Sequence, residues 1–179
     1  MDAVKALNRL IHDGARVLME KEKNSFRLPE EESNYEFIVN NCPNDTMVIK
    51  CDDKFPQPGD LFKGEKGECK RADYIIISSE KKVVIIMELK RSTKSTGTRD
   101  AIAAKMKGAK CIIDYCESII SSFWGDRDVF KGYKKKYFLC TLNTQKRPFN
   151  DGTIPIKNDS PDKFTKLSGK TVLFNKLIV

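Results

Sequence analysis

The sequence predicts an α/β or α+β fold: one domain with a central mixed β-sheet flanked by helices. Three observations carry this. Two runs rich in β-branched residues, RADYIII at 71–77 and VVIIMELK at 83–90, are separated only by the polar stretch SSEKK. A break this short makes an antiparallel hairpin, because a parallel crossover needs a dozen residues or more. DAIAAKMKGAKCIIDYCESIISSF, at 100–123, then repeats apolar residues at helical spacing, and KKKYFLCTLN and KTVLFNKLIV read as later strands. Hairpin, helix and strand in this order build a sheet with helices packed on it.

The remaining elements follow in chain order. Val4, Leu7, Ile11, Ala15 and Leu18 recur at helical spacing, which predicts an amphipathic helix over about 3–22. RLPEEESNYEFIVNNCPND breaks at Pro29 and restarts as a short helix, with Glu31, Glu32 and Ser33 near its beginning and Pro43 beyond its end. TMVIKC, at 46–51, is a first strand. DDKFPQPGDLFKGEKGEC, with two prolines and three glycines, is an irregular excursion. RSTKSTGTRD, at 91–100, is a polar loop, and either Thr98 or Asp100 caps the helix after it. TQKRPFNDGTIPIKNDSPDKF is rich in turn residues. No repeat, low-complexity tract or linker divides the chain, so 1–179 reads as a single unit.

Composition narrows the class. A chain of 179 residues that is 40% hydrophobic and 32% charged has enough apolar material for one core and is not of a disordered type. No apolar run approaches the roughly 20 residues that span a bilayer. The first residues mix charges throughout, unlike a secretory signal, so a cytoplasmic location is expected. Six cysteines are scattered without a C-x-x-C pair, which argues for reduced, core-filling thiols over a zinc or iron–sulfur site. Cys111 and Cys116 are expected on the apolar side of their helix. The 33 Lys+Arg against 25 Asp+Glu leave a net charge of +8, which suits a polyanionic partner, nucleic acid before membrane.

Both hairpin strands carry charge at one end, where a plain buried strand would not. Alternation puts Glu88 and Lys90 on one face of their strand and Leu89 on the other. If Asp73 lies opposite Glu88, residues 79–82 form a four-residue loop, and Asp73, Glu88 and Lys90 meet. Two carboxylates and an ammonium beside an apolar hairpin are costly to bury unless paired or metal-bound. Two adjacent carboxylates raise each other's pKa until a cation neutralises them, and Mg²⁺ is the hard, oxygen-seeking ion for that task. Asp73, Glu88 and the Leu89 carbonyl are thus candidate metal ligands. Lys90 is placed to orient a water or to stabilise charge on a phosphate in the transition state.

These two stretches resemble the signature of the PD-(D/E)xK, or restriction-endonuclease-like, nuclease superfamily. Ala72-Asp73 stands where that pattern has Pro-Asp, and Glu88-Leu89-Lys90 is its E-x-K. The resemblance covers the hairpin and, more loosely, the helix after it, under a third of the chain. It implies a central mixed sheet with helices on both sides. It also implies Mg²⁺-dependent phosphodiester hydrolysis, with Mn²⁺ able to substitute, leaving 5′-phosphate and 3′-hydroxyl ends. Asp73, Glu88 and Lys90 would be the catalytic residues, and DNA is expected over RNA. The chain departs from the pattern in lacking the proline. For the acidic residue that many members carry on an early helix, Glu20, Glu22, Glu32 and Glu36 compete. For the glutamine that one branch carries on the following helix, Lys105 or Lys107 would stand in.

Outside the hairpin, the basic loop with Lys94, and Lys105 and Lys107 on the helix behind it, are candidate contacts to nucleic-acid phosphate. YKKKYFLC interleaves lysines and aromatics but reads as a core strand with a basic lead-in. Trp124 closes the helix against the core, and His12 reads as a partly buried helical residue. No G-K-[ST] phosphate loop and no Ser/His/Asp or Cys/His arrangement is present. Without a separate recognition domain, specificity would come from loops, a homodimer or a partner protein. The alternative reading is a non-catalytic nucleic-acid-binding or protein-interaction module on the same fold, indifferent to divalent metal. A third is a hairpin edge whose charges form ordinary surface ion pairs.

Overall fold

The structure is a computed structural model that describes residues 1–30, 34–51, 61–91, 98–142 and 157–179. Asp2 opens the first helix by accepting a hydrogen bond from the Lys5 amide, and α1 runs only Ala3–Leu10, burying Ala3, Val4, Ala6 and Leu7. The helix expected to reach residue 22 stops here. His12 instead accepts a hydrogen bond from the Gly14 amide, a 3₁₀ turn covers Asp13–Ala15, and Arg16–Val17 becomes strand β1. Pairing with a sheet edge outweighs the helical periodicity, and Leu18, counted in that periodicity, is 85% exposed.

The short helix expected after Pro29 is also replaced by strands. β2 (Phe26–Glu30) and β3 (Tyr35–Asn40) are antiparallel, with Phe26, Leu28, Tyr35, Phe37 and Val39 buried on alternating positions. That is the period of a half-buried strand, and it overrides the cap-like acidic residues between them. β4 is Met47–Lys50, β5 is Tyr74–Ser78 and β6 is Val83–Lys90. Helix α2 spans Arg99–Trp124, and of the two candidate caps it is Thr98 whose side chain accepts the Ala101 amide. β7 (Lys134–Thr141), β8 (Thr165–Ser168), β9 (Thr171–Leu173) and the short α3 (Phe174–Leu177) complete the order. The last strand expected over 170–179 is therefore a three-residue strand turning into a helical turn, preceded by a further strand, β8, between the turn-rich stretch and Lys170.

Among the described residues the strands form a six-stranded sheet in the order β1-β4-β5-β6-β7-β8 and a three-stranded sheet, β2-β3-β9. In the large sheet β1, β4, β5 and β6 pair antiparallel, while β6, β7 and β8 run parallel, so the sheet is mixed as expected. The fold is α+β. One face of the large sheet, with Ile75, Ile77, Val84, Ile86 and Leu139, packs under α1 and α2. The other face, with Tyr74, Ile76, Ile85, Met87 and Leu89, packs against the small sheet and α3. Cover by helices on one side and by a second sheet on the other departs from the two-sided helical cover that the sequence implied. Among the described residues no helix is long and apolar enough to cross a membrane.

Two glycines of α2 show opposite uses. Gly125 ends the helix in the left-handed region, φ 73°, and its amide donates to the Ser121 carbonyl at 3.2 Å. A Cβ there would meet nothing within 4 Å. Gly125→Ala is therefore expected to cost about 1 kcal/mol, from backbone conformation alone. Thermal denaturation checks this, with a fall of roughly 2–4 °C expected for a chain of this size. Gly108 has ordinary helical backbone, but a Cβ on it would lie 1.7 Å from the Lys70 carbonyl oxygen. The backbone at Lys70–Arg71 crosses α2 at this glycine and then enters β5.

Candidate metal and catalytic site

The crossing at Gly108 delivers the chain to Ala72 and Asp73, which are buried at the mouth of the β5–β6 hairpin. Tyr74 pairs with Met87 and Ser78 with Val83, so the ladder places Asp73 opposite Glu88 and leaves residues 79–82 as the loop. This is the register the sequence analysis assumed. The Asp73 carbonyl accepts the Cys51 amide at 2.8 Å, which extends the β4–β5 ladder by one step. Its carboxylate Oδ2 accepts the Leu89 amide at 2.6 Å across the hairpin. Parity puts Asp73, Glu88 and Lys90 on the face under α2, beyond the last apolar residues of that core, and turns Leu89 into the opposite one.

Glu88 is fully buried and Asp73 only 5% exposed. The Glu88 Oε1 atom receives two ammonium groups, Lys90 Nζ at 2.9 Å and Lys105 Nζ at 2.5 Å. Its Oε2 is buried without a hydrogen-bond partner among the described residues. Burial and then the adjacent Glu88 charge hold the Asp73 carboxyl well above its ordinary range, against the pull of Lys105 and the Leu89 amide. Burial draws the Lys90 ammonium down, but its hydrogen bond to Glu88 and the charges of Glu88 and Asp73 outweigh this, so it stays protonated. Cys140, fully buried in the core of the opposite face, is a neutral thiol: burial, Asp73 and Glu88 all push it up.

The Asp73, Glu88 and Lys90 predicted from sequence are thus brought together, and Lys105 joins them. Of the two readings of Lys105, a phosphate contact or the stand-in for the glutamine of the following helix, its contact with Glu88 places it beside the carboxylates. Lys107 lies on the exposed side and pairs with Asp162 at 2.9 Å. Lys94 lies outside the described residues, as does Glu32. None of the other early acids sits on a helix. Glu20 is in an isolated bridge with Ser25, and both it and Glu36, on β3, pair with Arg27, while Glu22 occupies a turn. The acid that sequence reasoning missed is Glu30, at the end of β2, whose charge reaches Asp73. The Tyr74 hydroxyl donates to the Pro29 carbonyl at 2.5 Å and ties that strand end to the hairpin. Nothing local marks Glu30, because the residues of the β2–β3 strands that place it carry the signals of a short helix.

His12 is exposed and occupied in its turn, and Trp124 packs on the core beneath Arg9, 4.6 Å from the ring centre. Cys116 is buried as expected, but Cys111 faces solvent, and the six cysteines are reduced thiols. A cavity of about 580 Å³ between α1 and the β1–β4 edge contains none of the residues at the charged end of the hairpin.

The donor set suits a hard divalent ion. Two carboxylates lie side by side, and one of their oxygens is buried and unpartnered. The Leu89 amide points to Asp73, and in an extended strand the carbonyl of the same residue points to the same side. Among the described residues no three His, Cys, Asp or Glu side chains gather to hold a metal. Mg²⁺ typically takes one or two carboxylates and fills its remaining positions with waters and substrate phosphate. No protein-family model, curated protein or solved structure matches the chain.

Proposed function

We propose that the protein is a metal-dependent nuclease of the PD-(D/E)xK type that hydrolyses phosphodiester bonds, in DNA more readily than in RNA. The observation that supports this most is the buried Asp73–Glu88 pair, with the unpartnered Glu88 Oε2 and the Lys90 ammonium at the same strand end. Asp73, Glu88 and the Leu89 carbonyl would hold Mg²⁺, which when bound supplies Lewis-acid polarisation of the phosphate and a more acidic water. The chain's own groups do the rest. Lys90, kept protonated by Glu88, offers an N–H to the attacking water or to a phosphate oxygen as negative charge grows there. Water adds across the P–O3′ bond, and its proton ends on the 3′ oxygen. The excess of basic residues favours approach of a polyanion. Lys94 and Lys107 are proposed contacts to its phosphates, and a homodimer or partner protein would supply specificity.

One observation favours the second reading, a non-catalytic binding module. Glu88 Oε1 is already satisfied by two ammonium groups, as in a structural ion cluster. Cleavage of linear, supercoiled and single-stranded DNA and of RNA, with Mg²⁺, Mn²⁺ or EDTA, separates the two. Metal-dependent cutting is expected, reduced about a hundredfold in Lys90→Ala, the scale of losing one charge-stabilising donor. Binding without cutting under every condition, unaffected by metal, would establish the module instead.

A further inference from the structure

Counted formally, Asp73 and Glu88 bring two negative charges to the hairpin end, and Lys90 and Lys105 bring two positive ones. The cluster is neutral without any metal. A divalent ion would leave two positive charges in excess in a largely buried site, where uncompensated charge is costly. One ammonium therefore has to give way. Lys90 is the less free of the two: it sits two residues from Glu88 on the same strand, and its side chain is 21% exposed. Lys105 comes from another element, α2, and its side chain is 29% exposed. Its charge acts on Asp73 as well as on Glu88, as that of Lys90 does, so moving it outward uncovers both carboxylates while Lys90 stays on its strand.

We propose that Lys105 is a built-in competitor for the divalent cation: it neutralises Glu88 in the metal-free protein and is displaced from Oε1 as the ion enters. This rests on reading Asp73 and Glu88 as a divalent-cation site. Lys105 is then a positioning residue with two placements. The inward one keeps the buried carboxylates compensated. In the outward one its ammonium moves toward solvent at the mouth of the site, where a phosphate oxygen of the substrate restores the charge balance. The site would thus hold metal weakly when empty of nucleic acid and more tightly once a phosphate receives the displaced lysine, a coupling that must be reciprocal.

The test is titration of Mn²⁺ alone, followed by calorimetry at fixed pH and ionic strength, into the native protein, Lys105→Met and Lys105→Arg. Lys105→Met keeps the length and apolar stem and removes the charge, so it is expected to bind Mn²⁺ about tenfold more tightly than the native protein. Lys105→Arg, which keeps the charge, should stay within about twofold of the native affinity. If Lys105→Met does not fold, as judged by circular dichroism, Lys105→Gln replaces it with the same expectation. Equal or weaker binding by the neutral variants would overturn the proposal while leaving the metal site standing. Absence of Mn²⁺ binding in all of the proteins would overturn the metal site itself, and the competitor with it. A second readout uses a short phosphorothioate duplex that resists cleavage. It should tighten Mn²⁺ binding to the native protein and have a much smaller effect in Lys105→Met. An equal effect in both would overturn the coupling.

Discussion

Asp73→Asn is expected to abolish metal-dependent cleavage and at the same time to raise the melting temperature. The two effects have one cause. Asp73 is buried beside Glu88, and both burial and that neighbour hold its carboxyl well above its ordinary value of 3.8. A carboxyl raised in this way contributes stability that is fully present below the unfolded value and is lost as pH rises through the folded one. Above the folded value the native protein therefore carries the cost of the ionised pair. Asparagine removes it and can still accept the Leu89 amide through its own carbonyl oxygen. The gain is expected to be roughly 1–2 kcal/mol, the scale of about one pKa unit of relieved repulsion between two adjacent carboxylates. That corresponds to about 3–6 °C for a chain of this length. The loss in cleavage should reach about a thousandfold, because a metal ligand and not one donor is removed. Melting curves at several pH values check the origin of the gain: the difference between variant and native should shrink as the pH is lowered toward 3.8. A difference that stays constant with pH would assign the gain to packing instead of charge. A melting temperature below the native one would show that the pair is already compensated by its lysines.

Gly108→Ala should be the most damaging single methyl group in the molecule. A Cβ at this position would lie 1.7 Å from the Lys70 carbonyl oxygen and 2.9 Å from its carbon, and both are backbone atoms with no rotamer to change. The helix and the crossing segment must move apart, which is overpacking of the severe kind, expected to cost about 3 kcal/mol or more. Chemical denaturation should show this as a lower midpoint with an unchanged slope. Ordinary propensity makes the opposite forecast, a gain of up to about 1 kcal/mol for alanine over glycine inside a helix. The sign of the change thus decides whether the close crossing exists. Because the displaced segment leads directly into Asp73, and Lys105 lies one turn earlier on the same helix, cleavage should fall by more than the fraction unfolded explains.

What the sequence disclosed follows from the range of the forces involved. The β5–β6 hairpin was legible to the residue, register and loop included, because a four-residue break and unbroken β-branched runs admit few other arrangements. Asp73, Glu88 and Lys90 were legible for the same reason, since strand parity alone puts them on one face. Helix α2 was clear from its periodicity. The N-terminal third misled in two places: Ala15 and Leu18 continue a helical pattern that an edge strand ends, and the acidic stretch after Pro29 looks like a helix start inside a hairpin. Tertiary pairing with β4 and β9 decides both, and it leaves no local mark. Lys105 was visible as a cation but not as a partner of Glu88, because its direction depends on how α2 lies over the sheet. Gly108 was visible only as a residue out of place in a helix, and the reason for it is supplied by a backbone atom at Lys70.

The hairpin that carries the candidate site also orders events in time. Leu89 and Asp73 are 16 residues apart in the chain, and Lys105 and Glu88 are 17 apart. The candidate metal ligands and the two lysines on Glu88 all lie between residues 73 and 105. A hairpin of this kind closes in about 1–10 μs, whereas the parallel alignment of β6 with β7 must first enclose the whole of α2. The repelling carboxylates therefore meet early in folding, while water still screens them, and Lys90 arrives with them on the same strand. Drying of the site comes later, when α2 settles and brings Lys105 with it. Assembly in this order lets the chain bring like charges together while solvent keeps that step cheap, and seals them only once their counter-charges are in place.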